Sequence, residues 1–284
     1  MIATKSTLLE QYRSIYSTIL SQDGAGDSKQ KGKQSNLEHN NLLVRLNSQL
    51  IQDNEPFHAL LMNNYCCSLS MLETRHKLHP YVDIEFSRRI GELWEKFCKV
   101  SLNNPFSRIS ESNPINISVF YDQLSKDMQP NSATASPKNT PQNTTFHLLK
   151  DLLGDVDLTL DYSGKDANDQ LIGIDFKSGF GSNEKGNTQR ILQVGKIYQY
   201  IAPHVQLKLV IRQNDNNNYL SKIENSGVWG VVTGRKSYAY LSKISGCDIL
   251  SFVNNEVNFE ADMDSAIYQD LGSKVKNRDR YLDW

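Results

Sequence analysis

Two aspartates and a lysine lie in two short apolar segments that a polar turn separates. The first segment, 154–161, carries Asp157, and the second, 171–179, carries Asp175 and Lys177. Residues two apart on a strand point to the same face of a sheet, so the second aspartate and the lysine share a side. Pairing of the segments as a β-hairpin would bring Asp157 alongside them.

Two carboxylates and an ammonium group on one face suit a magnesium-dependent phosphodiester hydrolase. Mg²⁺ prefers oxygen ligands and keeps several waters, so Asp157, Asp175 and a substrate phosphate would hold it. The ion would polarise the phosphoryl oxygen and lower the pKa of a bound water. Lys177 would stabilise the developing negative charge or help to deprotonate that water. Asp155 and Asp161 share the face of Asp157 and compete with it for the metal role.

The order of these residues resembles the signature of the PD-(D/E)XK nuclease superfamily: an aspartate, a hairpin and then Asp175-x-Lys177. This superfamily includes most type II restriction endonucleases, several repair nucleases and Holliday-junction resolvases. Val156 stands where the family pattern usually has proline, and the spacing between the two aspartates is slightly long. The resemblance covers roughly residues 80–235. It favours Asp157 as the first metal ligand and implies a mixed sheet of four or five strands flanked by helices.

The resemblance also implies a helix before the hairpin that contributes a third acid. Apolar residues recur at three- and four-residue steps between 81 and 102, which predicts an amphipathic helix there. The segment from Gly91 to Glu95 resembles the Gly-x-x-aromatic-Glu of that nuclease helix. Glu95 would therefore lie near the metal, directly or through water, and Glu92 is the alternative.

A polar, glycine-containing segment at 178–190 follows the second strand and is expected to be a loop. Its amide and cationic side chains are suited to hydrogen bonds with phosphates and base edges. An ordinary flexible connection is the alternative interpretation. The candidate DNA-binding residues are Asn183, Lys185, Asn187, Gln189 and Arg190.

The rest of the chain predicts helices first and strands later. Apolar stripes indicate helices at 5–20, 37–51 and 56–72. The Gly-, Ser- and Lys-rich segment at 21–36 is typical of a flexible linker. The C-terminal residues 277–284 place aromatics among charges and are expected to dock on the body or on a second subunit.

A helix is expected at 191–200, with strands at 205–212, 228–233 and 237–241. We therefore predict an α/β (α+β) fold with a restriction-endonuclease-like mixed central sheet flanked by helices. The predicted domains are a helical N-terminal accessory region at 1–79 and a catalytic domain at 80–284. A mobile loop is predicted at 126–145 inside the second domain, because few residues near this stretch could be buried.

Composition narrows the class of protein. The chain has 284 residues, a net charge of −1 and four cysteines without paired CxxC spacing. No apolar stretch approaches the length of a membrane span and the N-terminus lacks a signal-peptide core, so we expect a cytoplasmic protein with reduced, mostly buried thiols. The net charge argues modestly against a nucleic-acid binder, but local basic clusters would suffice. Such clusters lie at 29–33, 88–89 and 274–280.

The resemblance implies a type II restriction endonuclease that makes Mg²⁺-dependent double-strand cuts in DNA at a short specific sequence. Such an enzyme would act as a homodimer on double-stranded DNA, since two-fold DNA symmetry mirrors protein symmetry. A structure- or damage-directed nuclease for repair or recombination is the first alternative. A non-catalytic DNA-binding protein is the second. The sequence contains no Walker phosphate loop, no Gly-x-Ser-x-Gly elbow and no His-Glu-x-x-His pair.

Overall fold

The protein is a mixed α/β protein, as predicted, and helices predominate in it. The computed structural model describes residues 4–21, 27–127, 158–180 and 185–284, which contain twelve helices and five strands. The helices are α1 (Lys5–Ser21), α2 (Ser28–Gln52), α3 (Phe57–Leu78), α4 (Asp83–Val100), α5 (Ile117–Asp127), α6 (Lys185–Ile201), α7 (Asn218–Glu224), α8 (Arg235–Ser245), α9 (Ile249–Glu256), α10 (Phe259–Asp262), α11 (Ser265–Lys274) and α12 (Arg278–Leu282). The strands are β1 (Ser110–Glu111), β2 (Tyr162–Lys165), β3 (Leu171–Lys177), β4 (Gln206–Ile211) and β5 (Gly230–Thr233).

The five strands form one mixed sheet in the order β1-β2-β3-β4-β5. The pairs β1–β2 and β2–β3 are antiparallel, and β3–β4 is parallel. Parallel neighbours need a long crossover connection, and α6 lies within it. The hairpin and the crossover both position the end of β3, where Asp175 and Lys177 lie.

The core of the sheet unit lies between α6 and one face of the sheet. Ile191 and Val194 of α6 belong to the same buried cluster as Leu209 of β4. At Gly195 an added Cβ would collide with the indole of Trp229, whose Nε1 donates a hydrogen bond to the carbonyl of Ile191 at 2.9 Å. The close approach fixes how α6 lies on its own unit, and therefore where its first turns point.

The chain divides into two compact units that differ from the predicted domains. The helical unit comprises Met1–Arg108, Arg212–Asn214 and Thr233–Trp284, and the sheet unit comprises Ile109–Ile211 and Asp215–Val232. The predicted boundary at 79/80 differs from this division, because α4 and the C-terminal helices pack with the N-terminal ones. Among the described helices, none has the length and apolar character needed to span a bilayer.

The helical unit is built around α3, which is buried along most of its length and contacts α1, α2, α4, α9 and α11. The four cysteines of the chain are free and buried, as predicted. Trp284 at the C-terminus is buried against Phe97 and Phe259, with ring centroids 5.3 and 5.0 Å away. The C-terminal residues were expected to dock on the body of the chain or on a second subunit, and these contacts are with the body.

Several predicted boundaries are wrong. Residues 28–36 of the predicted linker are helical, because Asp27 caps α2 by accepting a hydrogen bond from the backbone N–H of Gln30 at 2.9 Å. The strand predicted at 237–241 is part of α8, where Tyr238 and Leu241 are buried at helical spacing. In both segments the local composition indicated the wrong element, because the helix is stabilised by a cap or by packing contacts that the composition does not reveal.

Two further boundaries shift along the chain. The first strand of the hairpin begins at Tyr162, whereas the sequence placed it at 154–161. Of the predicted mobile loop at 126–145, residues 126 and 127 end α5, and the rest lies outside the described residues.

His39 makes the stability of the helical unit sensitive to acid. Its side chain is fully buried, Nδ1 lies 2.8 Å from the carbonyl oxygen of Ser35, and Nε2 lies 3.0 Å from the hydroxyl of Ser70. Burial lowers the pKa of His39 from 6.5 to about 4. Folding therefore favours the neutral imidazole, so this contribution is complete above pH 6.5 and is lost as the pH falls towards 4.

We predict that the free energy of unfolding contributed by His39 falls by ~3 kcal/mol over that pH range. His39→Gln, which cannot titrate, should show a flatter pH dependence in urea unfolding than the unmodified protein. His58, whose side chain is 54% exposed, provides the control His58→Gln, which should leave the pH dependence unchanged. Equal pH slopes for the protein and the His39 variant would contradict the prediction.

Candidate active site

The hairpin register places a second aspartate opposite Asp175. Tyr162 pairs with Ile174, so one further step along the ladder brings Asp161 opposite Asp175. Directly opposed residues of an antiparallel pair project from the same face of the sheet. Asp161 Oδ2 accepts a hydrogen bond from the backbone N–H of Phe176 at 2.7 Å, which holds this carboxyl group beside β3.

Asp175 is a buried carboxylate with two cationic neighbours. It is only 2% exposed. Lys177 Nζ lies 3.0 Å from its Oδ1, and Arg190 Nη2 donates a hydrogen bond to its Oδ2 at 3.1 Å. A buried charge is costly unless cations and hydrogen bonds compensate it, and these two side chains supply that compensation.

The compensation of Asp175 is incomplete. Its Oδ1 is buried and, despite the nearby ammonium of Lys177, receives no aligned hydrogen bond from any described residue. Burial, a hydrogen bond with Asp175 and the negative charge of Asp175, in that order of size, raise the pKa of Asp161 from 3.8 to about 7. The Phe176 N–H and Lys177 act in the opposite direction. Asp161 therefore keeps its proton to a higher pH than an exposed aspartate does, because a second negative charge beside Asp175 is costly.

This donor set fits magnesium. The described residues contain no group of three or more His, Cys, Asp and Glu side chains arranged around a metal position. Mg²⁺ does not require such a cage, because it commonly binds one or two carboxylates, several waters and substrate phosphates. Asp161 and the unfilled Oδ1 of Asp175 supply two carboxylates on one face.

The structure brings together only some of the residues predicted for the metal site. Asp175 and Lys177 lie together as expected from their spacing. Asp157 lies outside the described residues, and its role stays a prediction. Asp161, the alternative on the same face, is the acid placed beside Asp175. The sequence showed which residues could share a face, but the register depends on where the turn closes.

Glu95, the predicted third acid, lies on α4 in the helical unit. Its Oε1 accepts a hydrogen bond from Lys99 Nζ at 2.6 Å, one helical turn further along. Its alternative, Glu92, pairs with Arg88 and Arg89 at 3.4 and 3.2 Å. Both carboxylates thus have cationic partners on their own helix, and a catalytic role for either stays a prediction.

The predicted DNA-binding loop is partly helical. Lys185, Asn187, Gln189 and Arg190 lie on the first turns of α6, because this helix begins six residues before the predicted start at 191. Lys185 and Gln189 are exposed. Arg190 instead contacts Asp175, so it belongs to the candidate active site. Asn183 lies outside the described residues.

The role of Arg190 was missed in the sequence because it depends on the crossover. In a parallel β3–α6–β4 unit, the helix runs back over the sheet, and its first turns lie near the carboxyl end of the preceding strand. The next loop also reaches this edge: Asn216, which follows β4, accepts a hydrogen bond from the backbone N–H of Phe180 at 3.0 Å. The carboxyl edge of β3 is thus lined by polar groups from three segments.

Comparison of the chain with protein-family models, curated proteins and solved structures gave no match.

We predict that Asp161→Asn stabilises the metal-free protein by about 1 kcal/mol. The asparagine carbonyl would keep the Phe176 hydrogen bond, and its NH₂ would donate to Asp175 Oδ1. The pKa of Asp161 is raised, so its ionisation costs native stability progressively as the pH climbs from 3.8 through 7. The advantage of the variant should grow over the same range.

Urea unfolding in a chelator, at one pH well below 7 and one above it, measures this effect. Asp169→Asn is the matched control, because Asp169 lies in the turn of the same hairpin with its side chain 81% exposed. The control should change neither the stability nor its pH dependence. An Asp161 variant that is less stable than the unmodified protein at the higher pH would contradict the prediction.

Proposed function

We propose that this chain is a magnesium-dependent endodeoxyribonuclease, a phosphodiester hydrolase acting on double-stranded DNA. The observation that supports it best is the buried Asp175, with Asp161 and Lys177 beside it, at the carboxyl end of β3. Two carboxylates held side by side can share a divalent cation, and a neighbouring ammonium suits a phosphate whose charge increases during hydrolysis.

Each of the four side chains would have a separate role in hydrolysis. Asp161 and Asp175 would hold Mg²⁺, which when bound supplies a Lewis acid and a water of lowered pKa. Lys177 would stabilise the charge that develops on the phosphoryl oxygens or take a proton from the attacking water. Arg190 donates a hydrogen bond to Asp175 and would serve as a second cation for the phosphate. The water oxygen forms a new bond to phosphorus while a phosphorus–oxygen bond to the sugar breaks and its oxygen takes up a proton.

More specifically, we propose that the endodeoxyribonuclease is a type II restriction endonuclease that cuts at a short specific sequence. It is supported by the resemblance of Asp175-x-Lys177 in its hairpin and by the exposed Lys185 and Gln189 beside the site. Discrete fragments from plasmid DNA would favour it. Cleavage of branched or mismatched DNA without discrete fragments would favour the repair or recombination nuclease. Metal-independent DNA binding without cleavage would favour the non-catalytic DNA-binding protein.

We predict that Asp175→Asn and Lys177→Met each lower Mg²⁺-dependent plasmid cleavage by about 10³-fold or more, since each removes charge from the reacting group. Lys165 and Asp169 supply a matched control, because they form a 2.8 Å ion pair at the turn of the same hairpin. Asp169→Asn and Lys165→Met should cut like the unmodified protein. Absence of cleavage with Mg²⁺ or Mn²⁺ on several long natural DNAs would reject the proposal.

The two candidates for the first metal ligand can be separated. Asp161→Asn should abolish cleavage while preserving the fold, as its unfolding curve would report. Asp157→Asn is the comparison variant. If the Asp157 variant loses cleavage and the Asp161 variant does not, Asp157 is the metal ligand.

A homodimer is part of this proposal, and α2 offers a surface for it. Leu37, Val44 and Ile51 are 58, 64 and 39% exposed and lie seven residues apart on one stripe. When two such helices pair antiparallel about a two-fold axis at Val44, the two Val44 side chains meet and Leu37 of each copy faces Ile51 of the other, so the apolar stripe is self-complementary.

We predict that Val44→Glu converts the dimer to a monomer, because it places two carboxylates in an apolar seam. Light scattering coupled to size-exclusion chromatography measures the mass. Val119→Glu on α5, at a side chain 45% exposed, is the control and should leave the mass unchanged. A protein that is already monomeric would reject this surface.

A further inference from the structure

Two adjoining clefts on the helical unit form one basic surface. Each has a volume of about 380 Å³, and both are lined by Asn36 and Arg75. We call them together the basic cleft. Its cationic side chains are Lys29 and Lys33 of α2, Arg75 of α3, and Arg88 and Arg89 of α4.

The fold brings together charges that are distant in the sequence. Arg89 Nη2 donates a hydrogen bond to Asn36 Oδ1 at 2.9 Å, which ties α4 to α2. The basic segments at 29–33 and 88–89, each of which alone would suit a solvated helix face, thus line one continuous depression. Helix α2 also begins here, because Ser28 at its first position is part of the lining.

Positive charge in the basic cleft exceeds negative charge. Its acids are Glu85 and Glu92. Glu92 is shared between Arg88 and Arg89, and Glu85 lies 3.8 Å from Arg75 Nη2. Within the described ranges, Lys29 and Lys33 have no carboxylate in ion-pair range. Five cations facing two carboxylates leave a surplus that suits an anion with several charges.

One wall of the basic cleft is held in position. The guanidinium of Arg75 lies over the ring of Tyr81, 5.4 Å from its centroid, and Nη1 donates a hydrogen bond to the carbonyl of His79 at the end of α3. The Tyr81 hydroxyl is buried and has no aligned hydrogen-bond partner among the described residues. Arg75 therefore presents a pre-oriented fork of donors, the geometry that phosphate oxygens accept best.

We propose that the basic cleft binds backbone phosphates of double-stranded DNA. Cations from three helices, spread over two joined depressions, match a repeating anion better than one small ion. Arginine and lysine contacts to phosphates position a protein on DNA without reading its sequence. The inference rests on the proposed function, to which it adds a DNA contact surface on the helical unit.

The test is a variant with Lys29→Gln, Lys33→Gln and Arg88→Gln together. These side chains are exposed, whereas Arg75 and Arg89 have structural contacts and are left unchanged. The matched control replaces Arg235, Lys236 and Lys243 by Gln, which removes the same charge, from one arginine and two lysines, at exposed positions of the same unit. Binding of a fluorescent DNA duplex is measured in a chelator over a range of salt concentrations, so that no cleavage occurs.

The basic-cleft variant should bind DNA roughly 10- to 100-fold more weakly at low salt, and the slope of log Kd against log salt should fall by about 2. The control should change Kd by less than about 3-fold. Equal binding by the two variants, or no DNA binding by the unmodified protein, would overturn the inference. Binding of inorganic phosphate is measured for the same proteins. If the basic-cleft variant loses phosphate binding but keeps DNA binding, the inference is also overturned, because the ligand of the cleft is then a free anion.

These outcomes separate the inference from the proposed function. If the unmodified protein binds DNA through the basic cleft but cleaves none with Mg²⁺, the nuclease proposal fails and the inference stands. If it cleaves DNA while both variants bind equally well, the nuclease proposal stands and the inference fails.

Discussion

The burial of one negative charge organises the candidate active site. Asp175 is almost inaccessible to solvent in the middle of the sheet, and an uncompensated carboxylate there would cost several kcal/mol. Lys177 and Arg190 approach it for that reason, from its own strand and from α6. Burial also raises the pKa of Asp161 to about 7, and the hydrogen bond and negative charge of Asp175 beside it contribute to that shift.

Two kinds of strand connection make this arrangement possible. The antiparallel hairpin brings Asp161 beside Asp175 through its register, within a few residues of chain. The parallel crossover brings Arg190 to the same carboxylate from the opposite direction along the sequence. A sheet with only one of these connections would supply either the acid pair or the arginine. The mixed sheet supplies both at the carboxyl end of β3, where loops can admit a substrate.

What the sequence could predict follows from the range of each interaction. Asp175 and Lys177 were found because strand periodicity is local, and β4 because its apolar run is long enough to specify a buried strand. Asp161 could not be preferred over Asp157, because the hairpin register depends on the turn at 166–170. Arg190 was assigned to a loop, because the polar and glycine residues at 178–190 are typical of one. The packing of α4 with the C-terminal helices is a tertiary contact that no local pattern reveals.

The charge of the whole chain is a poor guide to its partners. A net charge of −1 argues modestly against a nucleic-acid binder when the charges are spread evenly. Here they are segregated: five cations converge on the basic cleft, while acids elsewhere cap helices, as Asp27, Asp248 and Asp264 do, or pair with cations outside the cleft. Screening limits the influence of a charge in solution to about 10 Å, so a DNA phosphate responds to the local surplus rather than to the sum. Near-neutral overall charge and a DNA-binding surface are therefore compatible in one chain.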